Sequence, residues 1–430
     1  MSNYQAIVAQ ITHTAPIPGA DNIHMATVLG ETVIVSKAWT TGKVGLFFPA
    51  GTQLSEAYAK ENNLHRDSSL NKDTDKKGFF ESNRRVRAQP FLKVKSEGFF
   101  AELDSVAFVG DIGELKVGDR FEGLNGIQIA TKYLNEKTRT AQANSKVSAK
   151  KKRAVPAFHE HVETEQFKHN IHKIHKGDLV SIQTKKHGTS ARYGYHQVEL
   201  VLPKWKQLVN QYIAPVFPTR AWQHVVGTRR VVLDSPEKMG FHGIEQYRYD
   251  YLEKLKPYLQ KGMTVYGEIV GFANDKPIMA THSTSGLKDK AVAKKYGQTI
   301  TYKYGCLEGT NKFHIYRITL ANEDGQHIDF TQAQVVNWCA AHGFASSVDL
   351  VEPFVYNGNQ EELLALVEGL TEREDVLTED FEDPSHISEG VIVRVDRGTV
   401  TPLFLKSKSY RFRVLEGIAQ ELEVDLEDAS

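Results

Sequence analysis

Cysteine is nearly missing from this chain: Cys306 and Cys339 are the only two in 430 residues, too few for a disulfide framework or a Cys-rich zinc site. No apolar run approaches the roughly 18 residues that span a bilayer. The opening MSNYQAIVAQ lacks the basic-then-apolar pattern of a secretion signal. A Walker-type phosphate loop is missing as well, because Gly42-Lys43 has no upstream glycine and is followed by Val44. There is no excess of either charge, with 53 Lys plus Arg against 53 Asp plus Glu, so the total points to no partner. These absences exclude a secreted scaffold and a membrane protein, and the expectation is a soluble, reduced, cytoplasmic chain.

The residues that are present build a folded protein: 40% are hydrophobic and 25% charged, the mix of a globular rather than a disordered chain. The length exceeds one ordinary core and predicts two or three domains. Charge is unevenly spread. Residues 131–156 hold eight basic residues against the single acid Glu136 and show no apolar periodicity. They are expected to form a basic linker, with Lys150, Lys151, Lys152 and Arg153 as its densest point, either a solvated connector or a phosphate-contacting strap. Thr371–Asp383 carries seven acids and one Arg, and the tail Glu416–Asp428 six acids; both read as solubilising surface.

Residues 1–130 are β-like. Short runs at Gln5–Ile11, Thr32–Ser36, Val44–Phe48 and Gly98–Leu103 are separated by turn signals at Pro16–Asp21 and Gly110–Gly113. Such spacing predicts a small barrel or sandwich. A charged loop, Glu61–Pro90, interrupts it, and its Arg84, Arg85 and Arg87 are either surface residues or nucleic-acid contacts. After the linker the pattern is mixed α+β. Strands are expected at Leu179–Thr184, Thr264–Val270, Lys312–Thr319, Gly390–Val395 and Pro402–Lys408. Helices are expected at Trp205–Ile213, Gln332–His342 and Gln360–Leu370, the last with Leu363, Leu366, Val367 and Leu370 on one face. The predicted domains are 1–130, the linker 131–156, a larger domain 157–415 and the tail 416–430.

Four elements carry chemistry. In the first, an alternating strand places Val180 and Ile182 inward and Ser181 and Gln183 outward, then runs into Thr184-Lys185-Lys186-His187-Gly188. Lys185 thus continues the polar face, and Gly188 permits a sharp turn. A lysine amine is a poor nucleophile unless its pKa is depressed, which neighbouring positive charge can do. Lys186 either supplies that charge or points to solvent, the latter being the expectation. The second element is Tyr266-Gly267-Glu268, where alternation puts Thr264, Tyr266, Glu268 and Val270 on one face. An acid inside such an apolar strand is costly unless paired or used on a metal. The third is Glu389-Gly390 opening the β-branched run Val391–Val395. In the fourth, Lys406-Ser407-Lys408, period-two geometry sets two ammonium groups side by side, a repulsive arrangement unless a polyanion lies between them. A nucleophilic lysine, two strand-borne carboxylates and a lysine pair together make an inventory for nucleotidyl transfer.

In order and spacing these elements resemble the covalent lysine nucleotidyltransferases, the superfamily of polynucleotide ligases and mRNA capping enzymes. Lys185–Gly188 looks like its K-x-(D/H)-G motif, Tyr266–Glu268 like the central Glu motif, Glu389-Gly390 like E-G, and Lys406–Lys408 like the final K-x-K. Gly227-Thr228-Arg229 resembles the early Arg motif, and Lys312–Arg317 the strand whose aromatic, Phe313 or Tyr316, stacks on the nucleobase. His187-Gly188-Thr189-Ser190 looks more like RNA ligases than DNA ligases. The β-rich start, with Pro16–Asp21, is similar to ATP-dependent RNA ligases bearing an OB-like domain ahead of the catalytic one. Thr184 departs from the Glu common at that position. Only 22 residues follow Lys408, too few for the C-terminal OB domain of DNA ligases and capping enzymes.

The resemblance implies an OB-like barrel followed by an α+β adenylyltransferase domain. It further implies ATP and Mg²⁺ or Mn²⁺ as cofactors, and RNA with 3′-OH and 5′-phosphate ends, in a nicked duplex, as the substrate of a monomeric enzyme. Lys185 would be the nucleophile. Gly188, Arg229, Glu268, Phe313, Tyr316, Glu389, Lys406 and Lys408 would complete the nucleotide site, with Glu268 and Glu389 serving the metal through water. Arg84, Arg85, Arg87, Lys151, Lys152 and Arg153 would touch RNA. A GTP-using capping-type enzyme, a DNA ligase and an inactive RNA-binding relative are the alternatives. Outside these motifs, His159, His161, His169, His172 and His175 read as surface or RNA-contacting residues before a metal site, His282 as part of a polar loop, and Lys288–Lys295 as a solvated helix face.

Overall fold

The computed structural model describes residues 3–134, 155–373, 386–398 and 401–416, apart from positions 93, 112, 238, 241, 242 and 286–289. The chain divides into two compact units, Met1–Val147 with Arg413–Ser430, and Ser148–Phe412. The division falls inside the basic segment 131–156. Within the first unit Arg413 forms ion pairs with Glu31 and Glu97. Lys151, Lys152 and Arg153 lie outside the described residues.

In the first unit β1 (Ala6–Pro16), β2 (Ile23–Val28), β3 (Glu31–Ser36), β4 (Val44–Pro49) and β5 (Gly98–Glu102) form an antiparallel sheet in the order β3-β2-β1-β4-β5, and Arg120–Phe121 also pairs with β1. A register break between Ile11 and His13 lets β1 pair with β4 through its first half and with β2 through its second, as bulges do when they bend a sheet. The result is a curled half-barrel, with Val8, Leu46, Phe48 and Tyr58 fully buried inside. Arg84 pairs with Glu56 and donates to the Leu54 and Ser82 carbonyls, while the Arg85 guanidinium lies 4.6 Å over the Tyr133 ring. Both arginines make their observed contacts within the unit. Arg87 is half-buried.

The second unit is built on β6 (Leu179–Thr184), β7 (Thr189–Glu199), β8 (Arg220–Gly227), β9 (Met263–Ala273), β10 (Asn311–Ala321), β11 (Gly390–Asp396) and β12 (Leu403–Lys408). One sheet is ordered β12-β11-β6, and the other β8-β7-β9-β10, each extended by short edge strands. Every strand expected in this half is present, within a few residues of its predicted ends. Each sheet buries one face under helices. On the first, Val180, Ile182, Val391, Val393, Val395 and Leu405 pack with Leu363, Val367 and Leu370 of the helix Gln360–Glu372. Each such side chain contributes roughly 1.5–3 kcal/mol of burial. Leu366, expected on that face, is 36% exposed and lies at its margin. On the second, Val265, Ile269, Phe313, Ile315 and Ile318 pack with Tyr247, Leu252, Leu255, Val335 and Cys339.

The polar faces of both sheets turn inward. Ser181 and Gln183, expected to face outward, are 1% and 2% exposed. The second sheet covers them, so strand alternation here separates two interiors rather than core from water.

Candidate functional site

Between the two sheets lies a cavity of about 160 Å³. Gln183, Thr184, Lys185, Lys186, Ile392 and Phe404 line it from the first sheet and the loop after β6. Ser190, Tyr266, Glu268, His314, Tyr316 and Arg317 line it from the second, and Arg229 and His161 also line it.

Lys185 starts the four-residue loop between β6 and β7. Its backbone N–H donates to the Gly390 carbonyl at 2.9 Å, and the N–H of His187 donates to the Tyr304 hydroxyl at 2.6 Å, so both ends of the lysine's turn are fixed. A side chain at Gly188 would place its Cβ 2.3 Å from the Ile269 carbonyl oxygen. The demand on this glycine is therefore for space against β9 more than for an unusual turn.

The Lys185 Nζ stands 2.8 Å from one Glu389 oxygen and the Lys408 Nζ 3.3 Å from the other; the His187 Nδ1 is 3.7 Å from the former. Glu389 is 3% exposed. Burial would raise its pKa, but Lys185, Lys408 and His187 outweigh that and hold it at about 2. Glu268, accepting from Ser190 Oγ at 3.1 Å, goes the other way. Burial pushes it up to about 7 against the pull of Lys185 and the Ser190 bond, with Glu389 adding to the rise. Two neighbouring carboxylates with separated pKa values can take different roles. Lys406 is brought down to about 8 by burial and then by Lys408, Lys185 and Arg229.

The aromatic strand holds the main surprise. Of the two candidate base-stacking aromatics, Phe313 is 4% exposed and packs edge-on against Tyr193 in the helix-covered core. Tyr316 lines the cavity. A register break lets Tyr266 pair with Arg317 while Gly267 pairs with Ile315, so Tyr316 is the extra residue of a β-bulge. The bulge shifts the alternation: Phe313, Ile315 and Ile318 face the core, whereas His314, Tyr316 and Arg317 face the cavity. Bulges beside active sites commonly re-aim side chains in this way.

Lys186, His161, Arg317 and His314 are among the cavity residues to which the motif reading gave no role. Lys186 is 6% exposed with its ammonium 3.4 Å from Thr184 Oγ1, which corrects the expectation that it points to solvent. His161 comes from the segment ahead of β6, meets the Tyr316 hydroxyl through Nδ1 and packs 5.2 Å from Tyr266. Burial, then Arg192, Arg229 and Arg317, push it down to about 3, so it is a neutral ring. Arg317 is bound to Asp329 at 3.0 Å and lies 4.8 Å over Tyr266. His161 Nε2, Arg317 Nη1 and His314 Nδ1 are buried without a hydrogen-bond partner. Buried polar atoms are normally paired, and three orphans around one cavity mark a binding site for a polar molecule. The other tract histidines scatter; His159 bonds the Gly325 carbonyl at 2.7 Å. Among the described residues no three His, Cys, Asp or Glu side chains gather to hold a metal, and no helix is long and apolar enough to cross a membrane. His282 sits 3.2 Å from the Tyr302 hydroxyl.

A lysine-bearing loop between two sheets, with paired lysines and carboxylates of separated pKa, has the make-up of a nucleotidyltransferase-type site. The RNA ligase family model matches residues 178–412, more than half of the chain, and the protein belongs to that family. Solved structures of Naegleria gruberi RNA ligase are similar in fold. A lysine-to-alanine variant with ATP and manganese is 16% identical and matches over 95% of this chain and 98% of its own, with a TM-score of 0.56. An apo aspartate-to-alanine variant is 14% identical over 96% and 98%, with a TM-score of 0.58. The same ligase with pyrophosphate is 16% identical over 96% and 98%, at 0.57. No curated protein sequence matches this one. His161 lies ahead of the family-matched residues.

Proposed function

We propose that this protein is an ATP-dependent RNA ligase that joins 3′-OH and 5′-phosphate ends, acting as a monomer on nicked duplexes. The observation that carries the reading is the cluster of Lys185, Glu389 and Lys408, with Lys406 on the same strand, whose Lys185 lines a buried polar cavity. Lys185 Nζ attacks the α-phosphorus of ATP; a P–N bond forms, the bond to the bridging oxygen breaks, and pyrophosphate leaves. An oxygen of the RNA 5′-phosphate then displaces the lysine, giving an adenylated 5′ end. Last, the 3′-OH attacks the 5′-phosphorus, forming the phosphodiester and releasing AMP. Glu389 keeps the Lys185 amine in place and takes part of its charge, while Lys406, Lys408 and Arg229 offset charge developing on phosphate oxygens.

The two carboxylates suit a hydrated Mg²⁺ or Mn²⁺ shared with phosphates, because such ions keep several waters and need one or two protein carboxylates. Glu268, raised to about 7, lacks enough positive charge around it, and a divalent ion would supply it. Glu268 and Glu389 would hold that ion, and its chemistry would be charge neutralisation on the transferred phosphate.

Incubation with α-labelled ATP or GTP and Mg²⁺, followed by a denaturing gel, tests the reading. Acid-labile label from ATP that disappears in Lys185→Ala is the expected result. Label surviving in Lys185→Ala refutes the nucleophile, label from GTP alone points to a capping-type enzyme, and no label points to an RNA-binding relative without chemistry. Equal sealing of RNA and DNA 3′ ends would refute the RNA preference, since the 2′-OH is what distinguishes them.

A further inference from the structure

The cavity's lining is of two chemical kinds. Lys185 and Arg229 line it and act on Lys406, a set of charges that suits phosphate. His314 also lines it; its charged neighbours are Lys186 and Lys312, and Gln183, Thr184, Ser347 and Ile392 line the same cavity. These offer hydrogen bonds and apolar surface, which suits a nucleobase.

His314 has one ring nitrogen to spare. It pairs with Glu268 across β9 and β10, is 9% exposed, and its Nδ1 is buried with no partner. In a neutral imidazole one ring nitrogen donates and the other accepts. With the ring's one bond made to the Ser346 backbone and Nδ1 left unpartnered, Nδ1 is the nitrogen left to accept. Lys186, beside it, is a donor. A donor next to an acceptor matches adenine, whose 6-amino group donates beside a ring nitrogen that accepts; guanine places an oxygen at that position.

We infer that His314 Nδ1 accepts a hydrogen bond from the 6-amino group of the nucleotide's adenine and selects ATP by doing so. The inference rests on the cavity being the nucleotide site. A site built to hydrogen-bond a group rejects an analogue lacking it, because its own polar atom is left unpaired.

The test uses the full chain and single-turnover lysine labelling, comparing α-labelled ATP with α-labelled purine riboside triphosphate, which lacks only the 6-amino group. The wild type should prefer ATP by about tenfold or more in rate over apparent affinity. In His314→Leu the ratio should fall to about one, and in His314→Asn, whose amide oxygen can accept, the preference should return. A merely structural histidine would not give that rescue. Equal use of both nucleotides by the wild type overturns the inference, as does a preference that survives in His314→Leu. Should His314→Leu fail to fold, the wild-type ratio and His314→Asn still decide. Absence of label from either nucleotide in the wild type would instead bring down the nucleotide reading itself.

Discussion

Replacing Glu268 by Gln keeps the side chain's size and its ability to accept from Ser190, and removes a carboxylate whose titration falls in the working range. Burial holds this group at about 7 despite Lys185, whereas Glu389, at about 2, is ionised throughout. With a midpoint near 7, roughly a tenth of Glu268 is ionised at pH 6 and roughly nine-tenths at pH 8. If the ionised form supports nucleotide transfer, the wild type should gain about tenfold across that interval from this group alone. Deprotonation of the nucleophile is common to both proteins, so the ratio of wild-type to Glu268→Gln labelling rates isolates Glu268. Single-turnover labelling from pH 5.5 to 8.5 measures it. Stability runs the opposite way. A carboxyl raised in the fold binds its proton more tightly than in the unfolded chain, so its contribution is full below 4.5 and is lost as pH rises through about 7. Above pH 7 Glu268→Gln should therefore be the more stable protein, by on the order of 1–3 kcal/mol, seen as a higher urea midpoint. A rate ratio that stays flat from pH 6 to 8, or a variant no more stable than wild type at pH 8, would refute the reasoning.

Three further outcomes follow from the geometry. Glu389→Gln strands the Lys185 and Lys408 ammonium groups 2.8 and 3.3 Å from a neutral amide and should cost about 3–5 kcal/mol in denaturant unfolding; an unchanged midpoint would contradict it. In wild type that contribution is present above pH 4.5 and fades as pH falls toward about 2. Gly390 has φ +133°, and a Cβ there would lie 2.0 Å from the Ser407 carbonyl oxygen, so Gly390→Ala should lower thermal stability and labelling together, by at least about 1–3 kcal/mol in stability. Phe313→Ala should cost about 3–5 kcal/mol as a core truncation while the protein that remains folded keeps its nucleotide affinity. A selective loss of affinity at unchanged stability would return Phe313 to the base site.

Much of this protein is legible one residue at a time. Period-two alternation located β6, β9, β11 and β12, because each strand buries one face under a helix and must be apolar there. Lys185, Glu268, Glu389 and the pair Lys406 and Lys408 stood out as charges where apolar strands would not place them. The cavity's remaining lining did not, for three physical reasons. A polar strand face reads as solvent-facing until the second sheet is known to cover it, which hid the burial of Gln183. One bulge residue reverses the faces beyond it, so alternation alone groups Arg317 with Phe313 in the core, whereas it faces the cavity with Tyr316. His161 precedes its neighbours Tyr266 and Tyr316 by more than a hundred residues, and no local pattern records a contact made at that distance. The sequence by itself determined the strands and the placing of Lys185, Glu268, Glu389, Lys406 and Lys408 on or beside them. Tertiary structure decided which groups share the buried space between two sheets, since their pKa values and orphaned hydrogen-bonding atoms arise only when the two polar faces meet.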